Sequence, residues 1–172
     1  MFGLFKPKMA PQEPVEFIGD VEIDCPAEEV YALIDWADPR NAKRNTGNEI
    51  IQDETDPNLF HMTMPAMDEF DFRFHVSEAA APSKYAFTCT ISPQCGRMAM
   101  SEEIYEFEAT GDQSCNVSLV NRVTFIEGTT MDDLAEEVAM LSASVQSALQ
   151  KLKLQAEHGA DVAKSLEMNT VL

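Results

Sequence analysis

The sequence predicts an α+β domain in β-α-β6-α order: a curved antiparallel sheet of seven strands wrapped around one long C-terminal helix. Three observations carry this. An alternating apolar stretch runs straight into an amphipathic one over residues 15–36; six apolar-rich segments separated by turn residues fill 48–127; and from Thr130 to about Glu157 apolar residues recur at three- and four-residue steps. With 172 residues the chain can bury one core without disulfides or a structural metal. The domain is expected over residues 15–157, between a flexible N-terminal tail (1–14) and a C-terminal tail (158–172) with at most a turn or two more of helix.

In the first strand Val15, Phe17, Val21 and Ile23 alternate with Glu16, Asp20, Glu22 and Asp24, the period of a strand with one buried face. Pro26 then suits a first helical turn, Glu28 and Glu29 suit the positive end of a helix dipole, and Val30, Leu33 and Ile34 make an apolar stripe, so a helix is predicted over about 26–36. "ADPRNAKRNTGN" concentrates Pro39, Gly47 and most of the local basic charge and reads as a loop or a short second helix. The strands that follow are predicted at 48–55, 59–64, 70–76, 83–91, 99–109 and 115–127, joined by short turns as an antiparallel meander. In the last helix Met131, Leu134, Val138, Leu141, Val145, Leu149 and Leu152 form the apolar stripe. Thr129 or Thr130 caps its start, Asp132 and Asp133 fill the first turn, and Gly159 lies just past the end.

Short hairpins fix which residues oppose each other, and opposed residues share a face. Closing one over "PAMDE" pairs Met64 with Phe70, Met62 with Phe72 and Phe60 with Phe74; closing the next over "SEAAAP" pairs Phe74 with Tyr85, Phe72 with Phe87 and Phe70 with Cys89. The other face carries His61, Thr63, Asp71, Arg73, His75, Lys84, Thr88 and Thr90 and belongs in water. Closing the last over "TGDQS" pairs Phe107 with Val117, Tyr105 with Leu119, Glu103 with Asn121 and Ser101 with Val123, with Glu102 meeting Arg122 outside. One aromatic face requires a cover, and the C-terminal helix is the element long enough to supply it. Glu103, Tyr105 and Asn121 stand out as polar residues on that inner face.

A formal charge of −18 argues against nucleic acid and against docking on an anionic membrane. The apolar part of "MFGLFKPKMAPQEP" is far too short to span a bilayer, so stable membrane insertion is not expected. Cys25, Cys89, Cys95 and Cys115 form no CxxC pair, and no signal-peptide run precedes them, so reduced thiols in a cytoplasm are expected. His61, His75 and His158 do not converge, and the sequence holds no phosphate loop, GxSxG or HExxH; no metal or other cofactor is expected.

"FIGDVEIDCPAEEVYALIDWADPRN" together with the closing "GTTMDDLAEEVAMLSASVQSALQKLK" resembles the START-like (SRPBCC) superfamily of helix-grip domains, which includes polyketide cyclases, pollen-allergen-type binding proteins and lipid-transfer domains. The resemblance spans about residues 15–157. It departs at the tryptophan that usually follows the Asp-Pro turn, since the single Trp here, Trp36, precedes it. The resemblance implies a helix-grip fold with a cavity between sheet and last helix. Ten methionines and the polar Ser142, Ser144, Gln146 and Ser147 on the helix suit an adaptable inner surface.

The expected function is therefore the non-catalytic binding or transport of a small hydrophobic molecule (a lipid, polyketide, isoprenoid or aromatic) by a monomer or homodimer. Phe60, Met62, Phe72, Phe74 and Phe87 with Leu119 would form the sheet wall, and Leu134, Val138, Leu141 and Val145 the helix wall. Tyr85, Glu103, Tyr105 and Asn121 would orient the ligand. One alternative is a cyclase/aromatase-like enzyme in which a buried Glu103, its pKa raised by desolvation, acts as acid and base. The other is a protein-interaction module of the chaperone-activator kind, using the outer face around His61, Arg73 and His75.

Overall fold

A computed structural model describes residues 7–169 of the chain; residues 1–6 and 170–172 of the two expected tails lie outside the described residues. The strands are β1 (Val15–Ile23), β2 (Glu49–Gln52), β3 (Leu59–Met64), β4 (Met67–Ala80), β5 (Lys84–Ser92), β6 (Met98–Gly111) and β7 (Ser114–Phe125). The helices are α1 (Ala27–Ile34), α2 (Ala42–Asn45), α3 (Met131–His158) and α4 (Ala160–Asn169). All seven strands form one antiparallel sheet in the order β1-β7-β6-β5-β4-β3-β2. The chain thus has the predicted seven-stranded, helix-gripping α+β architecture.

The alternation in β1 does what its spacing requires: Phe17, Val21 and Ile23 are buried and Glu16, Asp20 and Glu22 exposed. Gly19 lies on the buried face because α3 presses on it there. A Cβ at Gly19 would sit 2.8 Å from Leu149 Cδ1, 2.9 Å from Gln146 Nε2 and 3.1 Å from Val145 Cγ1. The helix packs chiefly along β1 and only lightly on β7. Its first turn is closed by a capping box: the Asp133 backbone N–H donates to Thr130 Oγ1 (3.2 Å), and the Thr130 N–H donates back to Asp133 Oδ2 (3.0 Å).

The β6–β7 hairpin has the register read from the sequence, with Phe107 opposite Val117, Tyr105 opposite Leu119, Glu103 opposite Asn121, Ser101 opposite Val123 and Glu102 opposite Arg122. At β3–β4, Phe60 faces Phe74 and Met62 faces Phe72, but Met64 pairs with Met67 rather than Phe70. Here β4 starts earlier, after a turn at Pro65-Ala66, and a register shift past Met62 absorbs the difference.

The β4–β5 register is four residues away from the sequence reading. Phe74 pairs with Cys89, Phe72 with Ile91 and Val76 with Phe87, because β4 runs on to Ala80 and the turn is confined to Ala81–Ser83. An even shift leaves each side chain on its face, and Phe74, Tyr85, Phe87 and Cys89 are all buried. A bulge between Val76 and Glu78 takes up the odd residue.

Two terminal segments are more ordered than tails. Lys8–Ala10 dock beside the start of α3, where the Met131 N–H donates to the Lys8 carbonyl (2.8 Å) and the Ala10 N–H to the Thr129 carbonyl (2.9 Å). Past Gly159, whose φ of 87° reverses the chain, α4 packs back on α3 and buries Ala163.

Candidate functional site

α3 follows β1 and leaves the inner face of β4 and β5 to another cover. That cover is the link from α1 to α2. Trp36, directly after α1, lies stacked on Phe74 (ring centroids 3.9 Å apart, planes 21° apart) and edge-on to Phe87 (5.4 Å). Local hydrogen bonds fix this turn. The Trp36 backbone N–H donates to Tyr85 Oη (3.0 Å), and the Tyr85 hydroxyl donates to Asp35 Oδ1 (3.2 Å). Asn41, only 1 % exposed, caps α2 by accepting from the Lys43 N–H (2.9 Å) while its Nδ2 donates to the carbonyls of Ile34 and Asp35. Arg44 donates to the carbonyls of Ile50 (2.7 Å) and Trp36 (3.2 Å), tying α2 to β2.

Beneath this link lies a cavity of about 120 Å³ walled by Leu33, Ile34, Trp36, Asn41, Ala42, Lys43, Phe74, Phe87, Glu103 and Tyr105. A second, of about 100 Å³, adjoins it across the shared residues Ile34, Ala42, Lys43 and Tyr105 and extends toward α3 and α4. Outside it an open groove of about 470 Å³ runs between Lys43 and the α3 face of Met140, Ser144, Ser147 and Lys151. A further hollow of about 360 Å³ around Ser83, Lys84, Glu106 and Glu108 is shallow and polar, and no aromatic cluster or buried acid converges on it beyond the edge of Phe107.

The chemistry of the inner cavity centres on two β6 residues that point the same way, Glu103 and Tyr105. The Tyr105 hydroxyl donates to Glu103 Oε2 at 2.8 Å. Glu103 is hemmed in by protein yet keeps accessible surface, which it owes to the cavity. Desolvation raises its pKa above the ordinary glutamate value, against the opposing pull of the Tyr105 hydrogen bond and the Lys43 charge. Burial, then the neighbouring carboxylate, drives the Tyr105 phenol well upward, so it is a donor and not a base. Opposite on β5, burial and then Glu103 push the Cys89 thiol up to about 12; burial, then Glu29, lifts Cys25 to about 11. Neither thiol is an activated nucleophile.

Of the residues singled out from the sequence, Phe74, Phe87, Glu103 and Tyr105 come together on the cavity wall. Phe60, Met62 and Leu119 are buried in the core, with Phe72 packed against it. Asn121 lies opposite Glu103 with its Oδ1 buried and without a hydrogen-bond partner. Tyr85 is fully buried, and its hydroxyl is engaged by Asp35 and Trp36 outside the cavity lining. Leu134 and Val145 are buried in the α3 contact, with Val138 and Leu141 packed beside them, and none of the four lines the cavity. The residues that sequence reasoning missed, Leu33, Ile34, Trp36, Asn41, Ala42 and Lys43, come from the end of α1, the link after it and the start of α2. Their signals were the chain's one tryptophan and a basic patch in an acidic sequence.

On the outer face His61 lies between Asp71 (3.0 Å) and Asp53 (3.5 Å), Arg73 pairs with Asp71 (2.6 Å) and His75 with Asp56 (3.2 Å). Among the described residues no group of three or more His, Cys, Asp or Glu could hold a metal ion, and no helix is long and apolar enough to cross a membrane.

No protein-family model matches the sequence, and no curated protein matches it. Solved structures do. DynU16, a protein of the dynemicin biosynthetic locus, superposes with a TM-score of 0.60 at 17% identity over 84% of this chain and 48% of its own. BexL, a di-domain ARO/CYC of the BE-7585A biosynthetic pathway, gives 0.58 at 19% over 86% and 51%. Ara h 8.0201 gives 0.57 at 11% over 83% and 99%. The chain thus spans about half the length of DynU16 and of BexL. At these identities the likeness is one of fold, and it is the helix-grip fold.

Proposed function

We propose that the protein binds a small, mainly apolar molecule carrying a polar group in the cavity beneath Trp36. The observation that supports this most is the composition of the wall: stacked and edge-on aromatic rings together with a single hydrogen-bonded acid–phenol pair, Glu103 and Tyr105. A few convergent polar groups in an apolar pocket fix the orientation of a ligand. The volume narrows the ligand class. Pockets for drug-sized ligands run to about 300–1,000 Å³, whereas each of the two adjoining cavities is near 100 Å³. In this form of the protein the space accommodates a single ring or short branched chain, not a lipid or a polycyclic polyketide.

Trp36 supplies the assay, because it is the chain's sole tryptophan and part of the wall. Titration with single-ring compounds should shift or quench its emission saturably, and native mass spectrometry of the purified protein should show the same stoichiometry. A silent Trp36 and an unliganded mass across such a panel would refute the proposal. A catalytic reading has one observation in its favour, the raised pKa of Glu103 inside a cavity. Glu103→Gln separates the two, since a binder keeps its ligand and an acid–base enzyme loses turnover.

A further inference from the structure

We infer that the ligand is a small hydroxylated monocarboxylate, its hydroxyl on the Glu103–Tyr105 pair and its carboxylate held at the cavity mouth by Lys43; this rests on the ligand-site reading above. The inner end of the cavity offers two acceptor oxygens side by side, the Glu103 carboxylate and the Tyr105 hydroxyl oxygen, whose single proton is already given to Glu103. A ligand hydroxyl can donate to either oxygen. A second carboxylate would meet Glu103 there and be repelled, so the inner end favours an alcohol or phenol.

The mouth is set by how the cations are distributed. The chain has 12 Lys and Arg against 30 Asp and Glu, so cations readily find acids. Arg40, Arg73, Lys84, Arg97, Arg122 and Lys153 each lie within ion-pair distance of a carboxylate. Arg44 is held by carbonyls. Lys43 makes no ion pair among the described residues, and it is the one cation that lines the inner cavity, the adjoining cavity and the outer groove alike. Its backbone is fixed by the Asn41 cap, and its exposed side chain borders the mouth from that braced turn.

A neutral ligand closing over Lys43 would strip water from an ammonium without replacing it, which is costly. A carboxylate replaces that water with a charge-assisted hydrogen bond. A single ammonium matches a single negative charge, and the field of a −18 protein opposes a more highly charged headgroup.

Isothermal titration calorimetry near neutral pH with 4-hydroxybenzoate, its neutral amide and benzoate tests each end separately. The wild type should bind 4-hydroxybenzoate about tenfold tighter than the amide, and added salt should erode that margin while leaving the amide unchanged. Benzoate should bind several-fold more weakly than the hydroxy acid. Lys43→Met should abolish the acid-over-amide preference, and Lys43→Arg should restore it. Equal affinity for acid and amide in the wild type, a preference that survives Lys43→Met, or indifference to the ring hydroxyl overturns the inference. Binding of neutral single-ring compounds alone sinks the carboxylate assignment while the ligand site stands. No binding by any member, charged or neutral, sinks the ligand site itself and this inference with it.

Discussion

Replacing Tyr105 by Phe removes one hydroxyl from the protein interior and should cost stability in a pH-dependent way. The hydroxyl donates to Glu103 Oε2 at 2.8 Å, and both groups sit behind the Trp36 link. A hydrogen bond to a charged acceptor contributes about 1.5–3 kcal/mol and a neutral one about 0.5–1.5 kcal/mol. The Tyr105 bond lowers a Glu103 pKa that desolvation holds above its ordinary value, so its loss raises the folded-state pKa further. A carboxyl whose folded pKa is raised contributes its stability below the unfolded pKa and loses it as pH rises through the folded pKa. The deficit of Tyr105→Phe should therefore be about 1 kcal/mol under acidic conditions where Glu103 is protonated in both states. It should grow above the ordinary glutamate value and level off near 2–3 kcal/mol once Glu103 is ionised in the folded variant. Urea unfolding of wild type and variant at a series of pH values, each with its own m-value, measures this. In the Glu103→Gln background the pH dependence should vanish. A deficit that stays flat with pH in the wild-type background would refute the assignment of Glu103 as a titrating acceptor.

Gly19→Ala should destabilise by about 1–3 kcal/mol, the range for overpacking, because the added methyl meets Leu149, Gln146 and Val145 at 3.1 Å or less; thermal unfolding should fall by several degrees. Tyr85→Phe leaves the Trp36 backbone N–H without its acceptor in a buried turn and should cost about 1–3 kcal/mol while red-shifting Trp36 emission; unchanged emission would show that the turn does not depend on that hydroxyl. Glu103→Gln should match wild-type stability in acid and exceed it progressively as pH rises, since the raised pKa is a penalty on the ionised form; a variant weaker than wild type near neutral pH would show that the carboxylate is a net stabiliser.

The sheet was legible because its signals are local. Alternation over 15–23 fixes the buried face of β1, and the short "TGDQS" turn fixes face and register for β6 and β7, with no tertiary information. The β4–β5 hairpin resisted because "SEAAAP" admits several closures, and an alanine-rich run carries too little pattern to choose between them. Glu103 was visible as a polar residue on an apolar face, and its Tyr105 partner followed from the i, i+2 spacing of a strand. The cavity's other wall was not visible. Trp36, Asn41 and Lys43 are brought there by caps and backbone hydrogen bonds in a connection with little periodicity, and neither hydropathy nor charge order predicts where such a segment lands.

The two walls of the site consequently have different physics. Glu103, Tyr105, Phe74 and Phe87 stand on central strands, each hydrogen-bonded on both sides, so their positions are set by the whole sheet. The facing wall is held by a handful of side-chain bonds from Tyr85, Asn41 and Arg44. Segments held by few contacts open at lower free energy than the sheet they cover. Changes on the sheet wall should therefore appear first in global stability, and changes at Asn41 or Arg44 first in ligand affinity and exchange rate. Volume follows the same division: a cavity near 120 Å³ is bounded on one side by strands that cannot move singly and on the other by a turn that three side chains keep in place. On the proposed reading, a ligand too large for this cavity and the one adjoining it would have to displace that turn, and the hydrogen bonds broken in doing so would favour small ligands.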